Sequence, residues 1–296
     1  MMPMLFHARF DPNNTVRPVM RALWDALMQR HFPQQQHMQL DLVQRAVVSY
    51  LCQKLHSPQW RDREAACLAL EAFLPRRSWQ VSVFPLLEQL FHSALRVLDD
   101  MRDSTRTAAI AFTKALSSHI VRACTPEESS AEVVAAALDK IMPLLLEKGL
   151  VAPSAEVGGH LLLGLLGKVV EAGRTAPALR QWLAQVISVL IEGMSAMEPQ
   201  TLQYMQFHTA RLRISEEELE SMRIKMAQSS PLHDALESCL GALQQAVLHD
   251  ATTSLVPEVV RSLCSQLQRG VGLPTRVAAA QALSQMVERY PAHLAP

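Results

Sequence analysis

The sequence predicts an all-α protein, an α-solenoid in which about a dozen helices form hairpins that stack in a right-handed superhelix. Composition is the first observation, because 43 Leu and 37 Ala but only 10 Gly among 296 residues favour helices over Gly-rich sheets and nucleotide loops. Apolar residues at helical spacing are the second observation, and an internal repeat is the third. Alternating patterns that would indicate strands are nearly absent.

Apolar periodicity places the helices along the chain. Three typical buried faces are formed by Met20, Leu23, Trp24 and Leu27; by Phe84, Leu87, Phe91 and Leu98; and by Leu179, Trp182, Val186 and Leu190. Each face repeats every three or four residues, as one side of an amphipathic helix does. We expect helices of roughly 14 to 20 residues joined by short loops.

Local signals mark where these helices begin and end. Capping boxes at residues 125–128 and 215–218 predict two helix starts, and Pro231 suits a first helical position. Glycines stand where helices should end, at Gly149, Gly173 and Gly270. This punctuation is typical of short helix hairpins.

One helix recurs along the chain. Arg63-Glu64-Ala65-Ala66-Cys67-Leu68-Ala69-Leu70 matches Arg106-Thr107-Ala108-Ala109-Ile110-Ala111-Phe112, a step of 43 residues. The same helix returns at Arg276-Val277-Ala278-Ala279-Ala280, a further copy carries His233 at the Arg position, and residues 156–170 supply another. A two-helix unit of this length is typical of HEAT and armadillo repeats, which have about 40 to 47 residues.

We therefore interpret residues 1–296 as one HEAT-type solenoid segment with an irregular insertion at about residues 198–229. HEAT repeats often carry an Asp six residues before the Arg, and these pairs stack into a polar ladder between neighbours. Asp100 with Arg106 keeps both residues, whereas Ser57 precedes Arg63 and Gly270 precedes Arg276. We expect no continuous ladder.

Charge and hydropathy exclude several classes of function. The 28 Lys+Arg balance the 28 Asp+Glu, so no field of one sign would attract nucleic acid or an anionic membrane. The most apolar stretch, residues 157–170, includes His160 and Lys168 and is shorter than the roughly 18 apolar residues of a membrane span. The first residues lack a secretory signal pattern. We predict no nucleic-acid binding, no membrane insertion, and a cytoplasmic and nuclear location.

The residue types that carry chemistry are scattered. Five cysteines lie far apart without a CxxC pair, which fits reduced core thiols better than a disulfide framework or a zinc site. The 11 histidines form no HxxxH or HExxH motif, so we expect His119 and His160 to be core or groove residues. No serine-hydrolase or P-loop motif is present. We predict no catalytic, cofactor-binding or metal-binding residue, and the partner-binding residues stay open.

Three further features favour structural roles. Gly270-Val271-Gly272 begins like a dinucleotide fingerprint, but no strand precedes it, so a tight turn between helices is the better interpretation. The acidic residues 216–220 suit either a basic partner or, preferably, a helix N-terminus. The 14 methionines suit the core, although those around the insertion could form an adaptable surface. The ones concerned are Met194, Met197, Met205, Met222 and Met226.

Several segments resemble one family, the proteasome adaptor and scaffold proteins, which are very long HEAT-repeat proteins. The most specific are Trp60-Arg61-Asp62-Arg63-Glu64, Arg96-Val97-Leu98-Asp99-Asp100, Pro143-Leu144-Leu145-Leu146-Glu147-Lys148-Gly149, Glu198-Pro199-Gln200, Ser229-Ser230-Pro231, Leu255-Val256-Pro257 and Gly270-Val271-Gly272-Leu273. They are colinear along nearly the whole chain and are sparse between residues 206 and 226. The family proteins are several times longer, so the chain resembles an internal block of their repeats.

The resemblance implies a non-enzymatic adaptor that binds proteasome core and regulatory particles without a cofactor. It also implies a part in proteasome assembly, stability or localisation during ubiquitin-dependent degradation. One alternative is another HEAT scaffold, of the nuclear-transport or phosphatase type. A second is an enzyme that uses Cys52 or Cys124 with a nearby histidine as base. Slow labelling of every thiol in the folded chain would exclude this second alternative.

We expect the chain to be a fragment of a longer array. Residues 290–296 stop where another hairpin should begin, and neither end has the polar face of a capping repeat. Apolar surface should therefore be exposed at residues 1–6 and on the last helix.

Overall fold

The computed structural model describes residues 1–31, 36–76, 84–149, 160–196, 207, 211, 214–249 and 254–291. Within these ranges the chain forms α-helices, short 3-10 turns and no strand, which confirms the predicted all-α class. The α-helices are α1 (Met2–Ala8), α2 (Val16–His31), α3 (Gln36–Leu55), α4 (Trp60–Phe73), α5 (Leu87–Leu98), α6 (Asp103–Ala123), α7 (Ala131–Gly149), α8 (His160–Ala172), α9 (Arg180–Ala196), α10 (Glu216–Gln228), α11 (Pro231–His249), α12 (Leu255–Arg269) and α13 (Leu273–Arg289).

The first of two compact units spans Met1–Ala123. Helix α4 packs against both α3 and α6, and α5 forms a hairpin with α6. Alanines make the close approach possible, since Ala65, Ala66 and Ala109 are at most 2% exposed at these contacts. The largest fully buried side chains of this unit include Leu51, Leu70, Leu90, Phe112 and Ile120.

Helix α1 closes one end of the first unit through an aromatic cluster. The Phe6 ring centroid lies 5.4 Å from Trp24 and 5.5 Å from both Phe10 and Phe73, in edge-to-face geometry. The expectation that residues 1–6 are exposed is therefore wrong for Phe6, which is only 6% exposed. It is confirmed for Met1 and Met4, because the short helix buries one face and leaves the other in solvent.

The second unit spans Cys124–Pro296. Helices α8 and α9 pack against α11, while α9 also contacts the α12–α13 hairpin, and α10 packs against α13. Helices α8 and α11 approach closely, since a Cβ added to Gly167 would lie 3.7 Å from the Ala235 Cα atom. The predicted apolar surface on the last helix is confirmed at Val287, which is 54% exposed on α13.

Most predicted helix boundaries are confirmed. Pro231 begins α11, and Gly173 directly follows the last residue of α8. Gly149 is the last described residue of α7, so the end predicted there stays a prediction. Ser215 caps α10 through a complete capping box, in which its hydroxyl accepts from the Glu218 N–H and the Glu218 carboxylate accepts from the Ser215 N–H. The start predicted at Thr125 is wrong. Its carbonyl oxygen accepts from the N–H groups of residues 128 and 129 in an isolated turn, and α7 begins only at residue 131.

The turn predicted at residues 270–272 is confirmed between α12 and α13. Gly270 follows the last residue of α12, and its N–H donates to the Gln266 carbonyl oxygen at 2.7 Å. Gly272 has φ 88°, a left-handed conformation that favours glycine.

Much of the predicted insertion at residues 198–229 lies outside the described residues, and its last part forms α10. Among the helices that the structure describes, none is both long enough and apolar enough to cross a bilayer.

Candidate functional site

The repeat arginines share one geometry, which fixes the turn before each second helix. Arg63 donates to the Ser57 carbonyl oxygen at 2.9 Å, and Arg106 donates to the Asp100 carbonyl oxygen at 2.6 Å. Arg276 makes the same bond to the Gly270 carbonyl oxygen at 3.0 Å. In each case the acceptor lies six residues before the arginine. Because the acceptor is a backbone atom, the bond forms whether that residue is Ser, Asp or Gly.

Arg17 belongs to the same series, and sequence analysis missed it. Its Nε atom donates to the Asp11 carbonyl oxygen at 2.9 Å, and a terminal nitrogen donates to the Pro12 carbonyl oxygen at 2.9 Å. The signal was present, since Asp11 precedes Arg17 by six residues. The small-residue stripe was absent, however, because Val19 and Met20 stand two and three residues after this arginine, where the other copies have alanines.

One rung of a polar ladder connects neighbouring repeats in the first unit. The Arg63 Nε and terminal nitrogen donate to the two carboxylate oxygens of Asp100, at 2.5 and 3.0 Å. The carboxylate also accepts from the Arg102 N–H at 3.0 Å, and its side chain is 5% exposed. The hydrogen bonds from Arg63, aided by that N–H, hold the pKa of Asp100 below its ordinary value. This bidentate ion pair connects α4 to the α5–α6 turn.

Asp62 organises a second cluster, at the connection between α3 and α4. Its carboxylate accepts from Lys54 Nζ at 2.9 Å and from the Ser57 hydroxyl at 3.0 Å. Burial raises the pKa of Asp62, but the two donors outweigh burial and hold the pKa below its ordinary value. The Asp62 carbonyl oxygen lies 3.0 Å from His7 Nε2, so that nitrogen carries the proton and links α1 to α4.

The half-buried Trp60 lies beside the exposed residues Arg61, Met101 and Arg102, and we call these four residues the Trp60 edge. The Arg102 guanidinium lies 4.1 Å from the Trp60 ring centroid, and the Arg61 guanidinium lies 5.5 Å from it. Met101 is 98% exposed at the α5–α6 turn. The Ser104 hydroxyl donates to Glu64 at 2.5 Å and further joins α6 to α4.

The Trp60 edge has the composition of a partner-binding surface. Tryptophan and arginine dominate the energetics of protein interfaces, and an exposed methionine adds adaptable apolar area. The Arg63–Asp100 pair holds the two turns that carry these residues. The edge can therefore present a preformed surface without further ordering on binding. These partner-binding candidates could not be predicted from local sequence patterns, because Trp60 and Arg102 meet only through tertiary structure.

The thiols lie mostly in the core. Cys52, Cys67, Cys124 and Cys239 are completely buried, and Cys264 is half-buried. Burial raises the pKa of Cys52, of Cys67 and of Cys124 to about 12, so none of them forms a thiolate readily near neutral pH. His56, which follows α3 directly, contacts the Cys52 backbone and not its thiol in the bond between its Nδ1 atom and the Cys52 carbonyl oxygen, at 3.1 Å.

The histidines are scattered in the same way. His119 is 4% exposed within α6, which confirms its predicted core position, and burial lowers its pKa to about 4. The His160 side chain lies outside the described residues. Across the parts of the chain that the structure describes, no three His, Cys, Asp or Glu side chains converge as a metal site would require.

Helix α10 carries the acidic run and part of the methionine set. Glu216, Glu217 and Glu218 occupy its first turn, where they complement the helix dipole as the preferred interpretation expects. Met194 is buried in α9, whereas Met222 and Met226 on α10 are 41% and 42% exposed. These three methionines therefore divide between the core and an accessible surface, while Met197 and Met205 lie outside the described residues.

The chain is similar in sequence to one family of known proteins. Residues 179–296 match the family model of the HEAT-repeat domain of proteasome adapter and scaffold protein ECM29. The whole chain is 30% identical over 301 residues to the human proteasome adapter and scaffold protein ECM29, and covers 15% of that protein. It is 24% identical over 302 residues to proteasome component ECM29 of Saccharomyces cerevisiae, again over its full length and 15% of the relative. A Drosophila melanogaster relative, proteasome-associated protein ECM29 homolog, is 22% identical over 94% of the chain.

These matches confirm the resemblance stated from the sequence. It extends through both units, and the second unit carries the match to the HEAT-repeat model. The chain spans about 15% of the length of the curated relatives it matches.

Proposed function

We propose, from the relationship to the proteasome adapter and scaffold proteins, that this chain is a scaffold segment that binds the proteasome. The observation that carries the proposal is sequence similarity along the whole chain to relatives named for that role. The partners we propose are the proteasome core particle and its regulatory particle. The role would be to support proteasome assembly, stability or localisation in ubiquitin-dependent degradation, in the cytoplasm and nucleus.

The proposed mechanism is geometric. Helix hairpins fixed by arginine–carbonyl bonds and by the Arg63–Asp100 pair would present rigid edges at set positions. A scaffold that holds two partners at once raises their effective concentration without any new contact between them. The Trp60 edge is the contact surface we propose within the first unit.

We propose no enzymatic step. Burial raises the pKa of the Cys52 and Cys124 thiols to about 12, which opposes the cysteine-dependent alternative. The other alternative, a nuclear-transport or phosphatase scaffold, has no support among the relatives, whose names refer to the proteasome.

The test is direct binding to purified particles. The chain is immobilised and exposed separately to core particle, regulatory particle and assembled proteasome, with the full-length human relative as the positive control. We expect retention of at least one particle. The Trp60→Ala/Arg102→Ala variant should bind at least about tenfold more weakly, because it removes both anchors of the edge.

Arg261→Ala is the matched control for the arginine change, because Arg261 is exposed on α12 and outside the edge. Retention by the full-length relative without retention by the chain would refute a contact within this segment. Equal loss in the Arg261 variant would refute the assignment to the Trp60 edge alone.

A further inference from the structure

The two arginines of the Trp60 edge carry charge that the described part of the chain does not neutralise. Within the described ranges, the guanidinium groups of Arg61 and Arg102 take part in no hydrogen bond and no ion pair, and both lie over the Trp60 ring. Both residues are exposed. Their N–H donors are therefore available to a partner.

The carboxylates around the edge are already engaged by other cations of the chain. The ion pairs are Asp62 with Lys54, Asp100 with Arg63, and Asp103 with Arg106. The Glu64 carboxylate accepts from the Ser104 hydroxyl. Because three carboxylates are matched by three other cations, Arg61 and Arg102 leave an excess of positive charge at this edge.

The Trp60 ring holds these arginines without using their hydrogen-bond donors. The Arg102 guanidinium lies 4.1 Å from the ring centroid, and attraction to the ring face leaves its N–H groups free. The Arg102 backbone is also fixed, because its N–H donates to the Asp100 carboxylate at 3.0 Å. An arginine that is ordered before binding loses less conformational entropy when it captures a ligand.

The spacing of the two guanidinium groups suits a pair of carboxylates on one short segment. They lie 4.1 and 5.5 Å from the same ring centroid, so they are at most about 10 Å apart. In an extended chain, residues i and i+2 point to the same side about 6.6 Å apart. Each guanidinium can bind one carboxylate through two parallel N–H donors.

We propose that the Trp60 edge binds a short acidic segment of its partner protein, in which two carboxylates two residues apart pair with Arg61 and Arg102. An apolar side chain next to that pair would pack on Met101, which is 98% exposed. The inference rests on the proposed function, because that function makes the Trp60 edge a contact surface. It adds the chemistry of the partner at that surface.

A nucleic acid suits this edge less well than an acidic protein segment. Binding to a phosphate backbone depends on several cations that each neutralise a phosphate. Here Arg63 and Arg106 are paired with carboxylates, and the whole chain has as many acidic as basic residues. Two free guanidinium groups match a local pair of carboxylates better than a long polyanion.

The test measures binding of a labelled synthetic peptide of about 10 residues with Glu-Leu-Glu at its centre. One control peptide has Gln-Leu-Gln at the same place, a second has a single phosphoserine in place of the two glutamates, and a third probe is a single-stranded oligothymidylate. Fluorescence anisotropy with the whole chain is recorded at about 50 mM salt, where exposed ion pairs are weakly screened. We expect the Glu peptide to bind at least about fivefold more tightly than any of the other three probes.

Substitution of the arginines locates the site. Arg61→Gln and Arg102→Gln should each weaken binding of the Glu peptide about threefold or more, since each removes one charged donor pair. Arg102→Lys keeps the charge but loses the planar donors, so it should also weaken binding. Arg261→Gln makes the same change in net charge as Arg102→Gln at an exposed position on α12 and should leave the affinity unaltered. Circular dichroism establishes that each variant is folded.

The peptide assay contains no proteasome, so the inference and the proposed function can fail separately. Equal affinity for the Glu and Gln peptides would overturn the inference even if the chain retains a proteasome particle. Tighter binding of the phosphoserine peptide or the oligothymidylate would overturn it too, as would equal weakening by Arg261→Gln. Selective binding of the Glu peptide without retention of any particle would support an acidic partner and refute the proteasome as that partner.

Discussion

Arg63 and Asp100, 37 residues apart, form a two-pronged ion pair in which the Arg63 Nε atom lies 2.5 Å from one carboxylate oxygen and a terminal nitrogen lies 3.0 Å from the other. The arginine belongs to α4 and the aspartate to the turn before α6. The same guanidinium also donates to the Ser57 carbonyl oxygen. The Arg63 side chain therefore fixes the turn of its own hairpin and also holds that hairpin against the next one. The pair therefore connects two neighbouring repeats, which are 43 residues apart in the sequence.

Removal of this pair should destabilise the first unit. Arg63→Met keeps most of the aliphatic stem but leaves the Asp100 carboxylate, 5% exposed, without its cation. We expect a loss of about 2–4 kcal/mol in the free energy of unfolding, measured by urea denaturation of the first unit's transition. Arg61→Met is the matched control at an exposed position and should change this free energy by less than about 0.5 kcal/mol. Equal effects of the two substitutions would contradict the role of the pair.

Acid should weaken the contribution of Asp100. Because the pKa of this carboxyl is lower in the folded chain than in the unfolded chain, its contribution is complete above the unfolded value of about 3.9 and is lost as the pH falls through the folded value. The difference in unfolding free energy between the unaltered chain and Asp100→Asn should therefore narrow below about pH 4. A difference that stays constant from neutral pH to pH 3 would show that the pair does not set this pKa.

His119 should produce a separate pH dependence at a higher pH. Burial lowers its folded pKa to about 4, while the unfolded value is near 6.5. Above the unfolded pKa the side chain is neutral in both states and does not oppose folding. The free energy of unfolding falls as the pH decreases from the unfolded pKa to the folded pKa, by about 3 kcal/mol in total. His119→Leu should remove most of this decline between pH 6.5 and pH 4, as measured by urea denaturation. The half-buried His233, replaced by Gln, is the control and should retain the decline.

Thiol labelling should distinguish one cysteine from the other four. Cys264 is half-buried, whereas the remaining thiols are completely buried and should react only when the chain opens. With a disulfide reagent at neutral pH we expect one fast equivalent, which Cys264→Ser abolishes, and four that appear on addition of denaturant. Fast labelling of Cys52 or Cys124 in the folded chain would restore the cysteine-dependent enzyme as a candidate.

Substitution of two glycines by alanine should change the stability of the second unit in opposite directions. A Cβ at Gly241, inside α11, would meet no atom within 4 Å, so Gly241→Ala should stabilise the second unit by about 0.5–1 kcal/mol through helix propensity. A Cβ at Gly270 would collide with the Gln266 carbonyl oxygen and would lie 2.8 Å from the Thr275 Cγ2 atom, so Gly270→Ala should destabilise it. Thermal unfolding of both variants measures the two signs, and a stabilising Gly270→Ala would contradict the described turn.

Local signals explain both the successes and the failures of prediction from sequence. The stripes after Arg63, Arg106 and Arg276 predicted their helices because small residues at helical spacing are a local pattern. The helix start predicted at Thr125 is wrong because a capping-box sequence indicates only that a turn can be capped. Here the chain forms one isolated turn before α7 begins. The predicted exposure of Phe6 is wrong because the burial of α1 depends on aromatic residues of α2 and α4.

The sequence by itself determined the all-α class, the hairpin period and the positions of most helices, because these depend on interactions among residues a few positions apart. Only the tertiary structure brought Arg102 over Trp60 and joined Arg63 to Asp100, since these contacts require two helices to pack at one distance and angle. It also left a groove between α11 and α13 unfilled, although both helices carry the small residues that elsewhere allow close packing. The position of a helix depends on all of its neighbours together, and the position of α13 is fixed by its contacts with α9, α10 and α12.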